Sequence, residues 1–160
     1  IHKNEFRYVG IDLFGEKASQ DEVTPNYLNK QKFSNPLKNL FYNFLLRKNL
    51  NSYESVQNFL KNFSKNVTLI KGNSNIILRN LDLKDIDFVF LDGGHSFETV
   101  FDDLNSIYKK ISSNKGAVIL CDDYEDATYI TGVKKAVDKF VEINKLKLIL
   151  IKKRFAKIII

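Results

Sequence analysis

Asp87-Phe88-Val89-Phe90-Leu91-Asp92-Gly93-Gly94-His95-Ser96 and, further on, Gly116-Ala117-Val118-Ile119-Leu120-Cys121-Asp122-Asp123-Tyr124 decide how this chain is read. Each is a short apolar run that stops abruptly at a carboxylate. Between them Val100, Leu104, Ile107 and Ile111, widened by Phe101 and Tyr108, recur at helical spacing, while Asp102, Asp103, Lys109 and Lys110 take the opposite face. Ser96 is placed to cap that helix, and Glu98 in its first turn suits the helix dipole. Strand, amphipathic helix, strand is a βαβ unit, and apolar runs without alternation suit a parallel sheet covered on both faces. A right-handed crossover then sets Asp92 and Asp122 on the tips of neighbouring strands, at the edge where open α/β sheets bind ligands. With strands about 5 Å apart, carboxylates on those tips can share one cation.

The bulk properties narrow the class. A chain of 160 residues with 44% hydrophobic content and 13 Phe predicts one packed domain over residues 1–160 and excludes a disordered chain. Its one Cys, Cys121, gives no disulfide framework, so a reducing compartment is expected. No apolar run approaches the roughly 20 residues of a membrane helix and no signal-peptide pattern opens the chain, so a cytoplasmic location without membrane contact is expected. The net charge of +6 is spread among Asn and Ile. Only Lys145 to Arg154 and Lys157 are dense. They interrupt strand-like runs, where basic side chains are expected to be solvated or to protect a sheet edge. Nucleic acid is therefore not the expected partner. The chain opens on Ile1, which predicts a sequence truncated at its N-terminus.

The other elements follow from the same rules. Phe6 to Ile11 predicts a strand ending at Asp12 and Leu13. Residues 16–34, with Tyr27 and Phe33, predict a long irregular insert. Asn35-Pro36 opens a helix whose stripe is Leu37, Leu40, Phe41, Phe44 and Leu45, and Ser52 caps another with Tyr53, Val56, Leu60 and Phe63 turned inward beside Phe59. Val67 to Ile70 is a strand, Asn75 to Leu81 a helix, and Tyr124 to Thr131 a loop. Gly132 precedes a helix with Val133, Ala136, Val137, Phe140 and Val141 on one face. Leu146 to Ile151 and Ala156 to Ile160 are strands whose short connection requires an antiparallel hairpin. An acid at a strand tip, such as Asp12, can accept from both hydroxyls of a nucleotide-like ribose, or it can simply end the strand as a turn residue. Gly72 permits close backbone approach, and Asn73 and Ser74 suit an adenine edge or, equally, a helix cap. The chain has no internal repeat, Walker-type loop, CxxC pair or nucleophile elbow.

Taken in order, Asp12, Gly72-Asn73-Ser74, Asp92-Gly93-Gly94-His95-Ser96-Phe97-Glu98, Asp122-Asp123-Tyr124 and Gly132-Val133-Lys134-Lys135-Ala136-Val137 resemble the class I S-adenosylmethionine-dependent methyltransferases, from about Phe6 to the end. Within them the pattern is similar to the macrocin O-methyltransferase-like group, which modifies hydroxyls of sugars and antibiotics. The resemblance implies a Rossmann-like α/β sheet, mostly parallel, with a C-terminal antiparallel hairpin. It implies S-adenosylmethionine as cofactor, with Asp12 and Leu13 at the ribose, Gly72, Asn73 and Ser74 at the adenine, and Asp92, Gly93 and His95 along the same cofactor. It also implies a divalent metal, magnesium in the metal-dependent members, on Asp92, Asp122 and Asp123. A hard dication lowers the pKa of an alcohol and orients it toward the sulfonium methyl, which makes Asp92 and Asp122 part of the catalytic set.

Departures from the family pattern qualify this expectation. Asn73 replaces the usual carboxylate, and Phe97 the usual Tyr. Gly94 stands where relatives often carry an acidic base, so His95, which titrates near neutrality, becomes the catalytic base unless it only caps the next helix or touches cofactor. The family's first strand, with its Glu/Asp-x-Gly-x-x-x-Gly turn, has no counterpart: either it lies upstream of Ile1, and the sheet is expected to lack it between the second and fourth strands, or Phe6 to Gly15 serves in its place; the first is expected because Ile11-Asp12-Leu13-Phe14-Gly15 resembles the family's second-strand exit. The resulting expectation is metal-assisted O-methylation of a sugar or other small polar hydroxyl acceptor. A noncatalytic methyltransferase fold serving binding or assembly is the alternative, an RNA methyltransferase rests on charge alone, and a homo-oligomer is left open.

Overall fold

The structure is a computed structural model that describes residues 6–14, 34–41, 51–125 and 132–160. It divides into two compact units, Ile1–Asn73 and Ser74–Ile160. The expected insert at 16–34, the stripe positions Phe44 and Leu45, and most of the loop after Tyr124 lie outside the described residues.

In the first unit β1 (Tyr8–Asp12) pairs in parallel with β2 (Val67–Lys71), so that Asp12 stands opposite Lys71. Both strands are β-branched or aromatic at most positions, and Gly10 sits where an added Cβ would meet Leu69 Cδ2 at 3.0 Å. Helix α1 (Pro36–Leu40) starts as its sequence requires, with the Asn35 side chain accepting from Leu37 N–H and Pro36 in the first turn. Ser52 caps α2 (Tyr53–Phe59) by accepting from Ser55 N–H at 3.2 Å. The Tyr53 ring meets Phe14 edge-on, 5.2 Å between centroids. The expected inward stripes are only partly realised. Leu37, Leu40 and Phe41 are exposed, as are Phe59 and Phe63. Leu60 ends α2 with non-helical ψ, which turns Phe63 out of register with Val56.

The second unit holds a four-stranded sheet of order β3-β4-β6-β5, built from Phe88–Leu91, Val118–Cys121, Phe155–Ile159 and Lys147–Ile151 respectively. β3 and β4 are parallel, Leu91 opposite Cys121, and β6 runs antiparallel to both β4 and β5. This is the Rossmann-like arrangement expected, and the described strands form two sheets, one in each unit. Helices α3 (Ser74–Asn80), α4 (Phe97–Ile111) and α5 (Gly132–Asn144) complete the unit. The core is the predicted one: Leu104, Ile107 and Ile111 of α4, Ala136, Val137 and Phe140 of α5, Ile119 of β4 and Ile158 of β6 are all buried. Each large side chain among them contributes roughly 1.5–3 kcal/mol through removal from water. Tyr108 meets Phe140 edge-on at 5.5 Å.

Two expectations are corrected here. β3 is not covered on both faces: Phe88 and Phe90, which share one face of the strand, are half exposed, and among the described strands β3 lies at the end of its sheet. Asp103, read as part of the solvated face of α4, is buried, because α3 lies against that side and supplies donors: Ser74 Oγ at 2.7 Å and Asn75 Nδ2 at 2.7 Å.

The start of α5 touches the loop before α4. A Cβ on Gly132 would lie 2.2 Å from the His95 carbonyl oxygen and 2.8 Å from Phe97 N, both backbone atoms that cannot step aside. Gly132→Ala is therefore expected to cost about 1–3 kcal/mol by overpacking, read as a lowered midpoint in thermal or urea unfolding; an unchanged midpoint would contradict this contact.

Candidate active site

The parallel pairing of β3 with β4 brings together the two carboxylate-tipped ends, as the sequence predicts. Asp92 and Asp122 each follow a paired residue, Leu91 and Cys121, and Asp122 N–H donates to the Leu91 carbonyl at 3.0 Å. Asp92, Gly93, Gly94, His95, Asp122 and Asp123 surround a hollow floored by Cys121 and Val133 that has room for about one water. Burial pushes the Cys121 thiol up to about 12, so it is a packing residue and no nucleophile. Ser96 caps α4 through Thr99 N–H at 3.1 Å, which fixes the loop carrying His95. The cap role falls to Ser96, and the His95 ring points elsewhere: its Nε2 lies 3.3 Å from Asp123 Oδ2. Asp123 is itself held in the left-handed region, φ 54°, uncommon for a residue with a side chain.

The three carboxylates are not equivalent. Asp122, with a side chain 5% exposed, is gripped by Arg154: Nε donates to Oδ1 at 2.6 Å and Nη2 to Oδ2 at 2.8 Å. Oδ1 also accepts from the Asp123 backbone N–H at 2.8 Å. These bonds, Arg154 first, hold the Asp122 carboxyl below the usual carboxylate range despite its burial. Asp92 is shifted the other way, first by desolvation and then by the negative charges of Asp122 and Asp123, with His95 and Arg154 pulling back. Because the residue is open to solvent, water screens much of that shift.

Arg154 corrects the expectation that the basic run at 145–154 is only solvated or edge-protecting. The turn between β5 and β6 holds Lys152 and Lys153 at φ 52° and 61°, and Arg154 leaves it beside the tip of β4. Its carbonyl accepts from Tyr124 N–H at 2.8 Å, so backbone and side chain both bind the strand end. Tyr124, in the turn after β4, is buried; its hydroxyl donates to Asp138 at 2.5 Å and accepts from Lys134 Nζ at 2.8 Å.

Among the described residues no three His, Cys, Asp or Glu side chains are disposed to hold a metal ion. The residues as arranged do not fit the magnesium site implied by the family resemblance. Asp122 Oδ1 already accepts two N–H bonds and Oδ2 one, and the Arg154 guanidinium that spans both oxygens stands where a dication on Asp122 would approach.

On the first unit's edge, Asp12 is exposed, with Oδ1 accepting from Phe14 N–H, and its carbonyl accepts from Gly72 N–H at 2.9 Å. Gly72 has φ 145°, a conformation that favours glycine, and presents backbone where a side chain would stand. An exposed carboxylate beside a bare glycine turn fits the ribose and adenine of a nucleoside cofactor, with Leu13 and Asn73 adjoining. Ser74 opens α3, its hydroxyl proton committed to Asp103, and a Cβ on Gly93 would make an ordinary contact with Asp103 Oδ2 at 3.8 Å.

The chain and its fold are similar to those of known proteins. A family profile described as a methyltransferase domain covers residues 1–124, and the chain belongs to that family, the class I S-adenosylmethionine-dependent methyltransferases. Among solved structures it is similar to the O-methyltransferase NovP, with TM-score 0.67 and 18% identity over 98% of this chain and 61% of that one. It is also similar to CalS11, a TDP-rhamnose 3'-O-methyltransferase in calicheamicin biosynthesis, with TM-score 0.54 and 17% identity over 96% and 58%. At these identities the two structures establish the fold. Uncharacterized protein R132 of Acanthamoeba polyphaga mimivirus is 43% identical over 56 residues, 35% of this chain and 24% of that protein. The chain thus spans less than two thirds of the length of each of these relatives. No helix among the described residues is long and apolar enough to cross a membrane.

The Asp122–Arg154 pair has a pH signature. A carboxyl with a lowered folded pKa adds stability above its unfolded value, near 4, and that stability is lost as pH falls through the folded value. Asp122→Asn is expected to lower stability at pH 7 by about 1–3 kcal/mol and to flatten the fall in Tm below about pH 4. Circular-dichroism melts at both pH values check this; parallel curves for the two proteins would refute it.

Proposed function

We propose that the protein transfers the methyl group of S-adenosylmethionine to a hydroxyl of a small polar, sugar-like acceptor. The observation that carries this reading is the rim of Asp92, His95, Asp122 and Asp123 on paired parallel strand ends, in a chain of methyltransferase family and fold. The sugar-like acceptor is supported by the fold shared with a TDP-rhamnose 3'-O-methyltransferase. Metal assistance, expected from the sequence, does not enter the reading, because Asp122 is already paired.

Bound S-adenosylmethionine supplies a methyl on a positively charged sulfur, ready for displacement by an oxygen nucleophile. Asp12 and Leu13 would hold the ribose of that cofactor and Gly72, Asn73 and Ser74 its adenine, with Gly93 along the same cofactor. An alcohol is a weak nucleophile, so the acceptor proton must leave as the new carbon–oxygen bond forms. His95 takes that proton. Asp123, 3.3 Å from Nε2, orients the ring and favours the imidazolium that forms, while Asp92 and the Asp122–Arg154 pair complete the rim around it.

His95→Ala is expected to lower the rate of methyl transfer by about 10²–10⁴-fold with little change in cofactor affinity. Asp12→Ala is expected to weaken that affinity instead. Radiolabelled S-adenosylmethionine offered with a panel of sugar nucleotides reads the first, and calorimetry with S-adenosylhomocysteine reads the second. Cofactor binding with no transfer to any hydroxyl acceptor would favour the noncatalytic alternative.

A further inference from the structure

Arg154 reaches the rim from a different element, the turn between β5 and β6. Topology puts it there: β6 is antiparallel to β4 with Ala156 opposite Cys121, so a residue just before Ala156 meets one just after Cys121. Its guanidinium makes a two-point fork on Asp122 and lies 4.0 Å from Asp123 Oδ1. The hydrogen bond from Tyr124 N–H to its carbonyl fixes the backbone from which the fork extends. Asp122 is buried on its strand tip, where an unpaired charge is costly, and Arg154 is the cation that meets both of its oxygens.

We propose that Arg154 is the resident cation of this site, standing where a divalent ion would have to bind and holding Asp122 and Asp123 in place without metal. The inference rests on the methyltransferase reading for the importance of the rim, but its geometry stands without it. A dication on Asp122 would have to displace the guanidinium: Oδ1 already accepts two N–H bonds, Oδ2 accepts the other arm of the fork, and the two cations repel at that distance. With Asp122 committed to Arg154, Asp92 and Asp123 remain, and Asp123 already lies beside His95. Arg154 is thus a positioning residue. Lys at this place would supply charge as a single point and lose the fork.

Titration with Mn²⁺, followed by calorimetry and by the electron-spin resonance of free Mn²⁺, tests the proposal without any turnover. The unmutated protein is expected to show no saturable Mn²⁺ site at millimolar concentration and no change of Tm with the ion. Arg154→Gln opens Asp122 and is expected to gain Mn²⁺ affinity by roughly tenfold or more, in the range by which groups around a metal site alter its affinity. Its Tm, lowered by loss of the fork, should rise with Mn²⁺. Arg154→Lys should stay closer to the unmutated protein than Arg154→Gln does. Stoichiometric Mn²⁺ binding by the unmutated protein overturns the proposal, and this arm decides even if Arg154→Gln fails to fold. A folded Arg154→Gln that gains no affinity overturns it as well. Loss of S-adenosylmethionine binding with the Mn²⁺ pattern intact would count against the methyltransferase reading alone.

Discussion

A carboxylate on a buried strand tip has to find a cation, and the rim of this protein is built around the answer to that requirement. Asp122 is carried there by β4, whose pairing with β3 leaves no freedom in where the residue falls. Water is largely excluded, so the nearest positive charge must come from the chain or a ligand. The terminal hairpin provides it, because a strand returning antiparallel beside β4 begins where β4 ends. The same geometry lets Arg154 bind twice, through its carbonyl and through its fork.

Pairing Asp122 so completely changes what its neighbours can do. With one carboxylate neutralised, Asp92 still feels the others and is pushed toward holding a proton, while Asp123 turns to His95. Three acids close together thus separate into three roles: one in a fixed ion pair, one with raised proton affinity, and one orienting an imidazole. Environments that drive apart the proton affinities of like groups are a frequent mark of acid–base chemistry. The left-handed backbone of Asp123 and of the two turn lysines adds local strain near this rim, held by surrounding structure.

Much of this was readable before any coordinates. The apolar runs 87–91 and 116–121, the α4 stripe and the cap residues Asn35, Ser52 and Ser96 follow local rules of period and hydrogen bonding, and they hold within a residue or two. The adjacency of Asp92 and Asp122 follows from the handedness of a crossover. What local rules miss is long-range pairing of polar groups. Asp103 looks solvated from its helix position, and only α3, crossing with Ser74 and Asn75, buries it. Arg154 sits in a lysine-rich turn that reads as edge protection. The signal was present in the hairpin's reach to the end of β4, but it requires knowing that β6 and not β5 is the inner strand. The exposed aromatics of β3 fail for a related reason, since composition cannot say which strand forms an edge.

The glycine that opens α5 ties these elements into one unit. Without a Cβ, Gly132 lies directly on the backbone of 95–97, so α5 and the loop carrying His95 cannot shift independently. From α5, Lys134 and Asp138 bind the Tyr124 hydroxyl, and the Tyr124 backbone binds Arg154. His95 and Arg154, each within 4.0 Å of an Asp123 oxygen, are therefore referenced to the same helix. An imidazole and a guanidinium positioned by one element keep a fixed spacing, which is what a preorganised electrostatic site demands. The Gly-Val-Lys-Lys-Ala-Val pattern is accordingly part of the site's construction: its glycine sets the approach, its first lysine reaches Tyr124, and its apolar positions anchor both to the core.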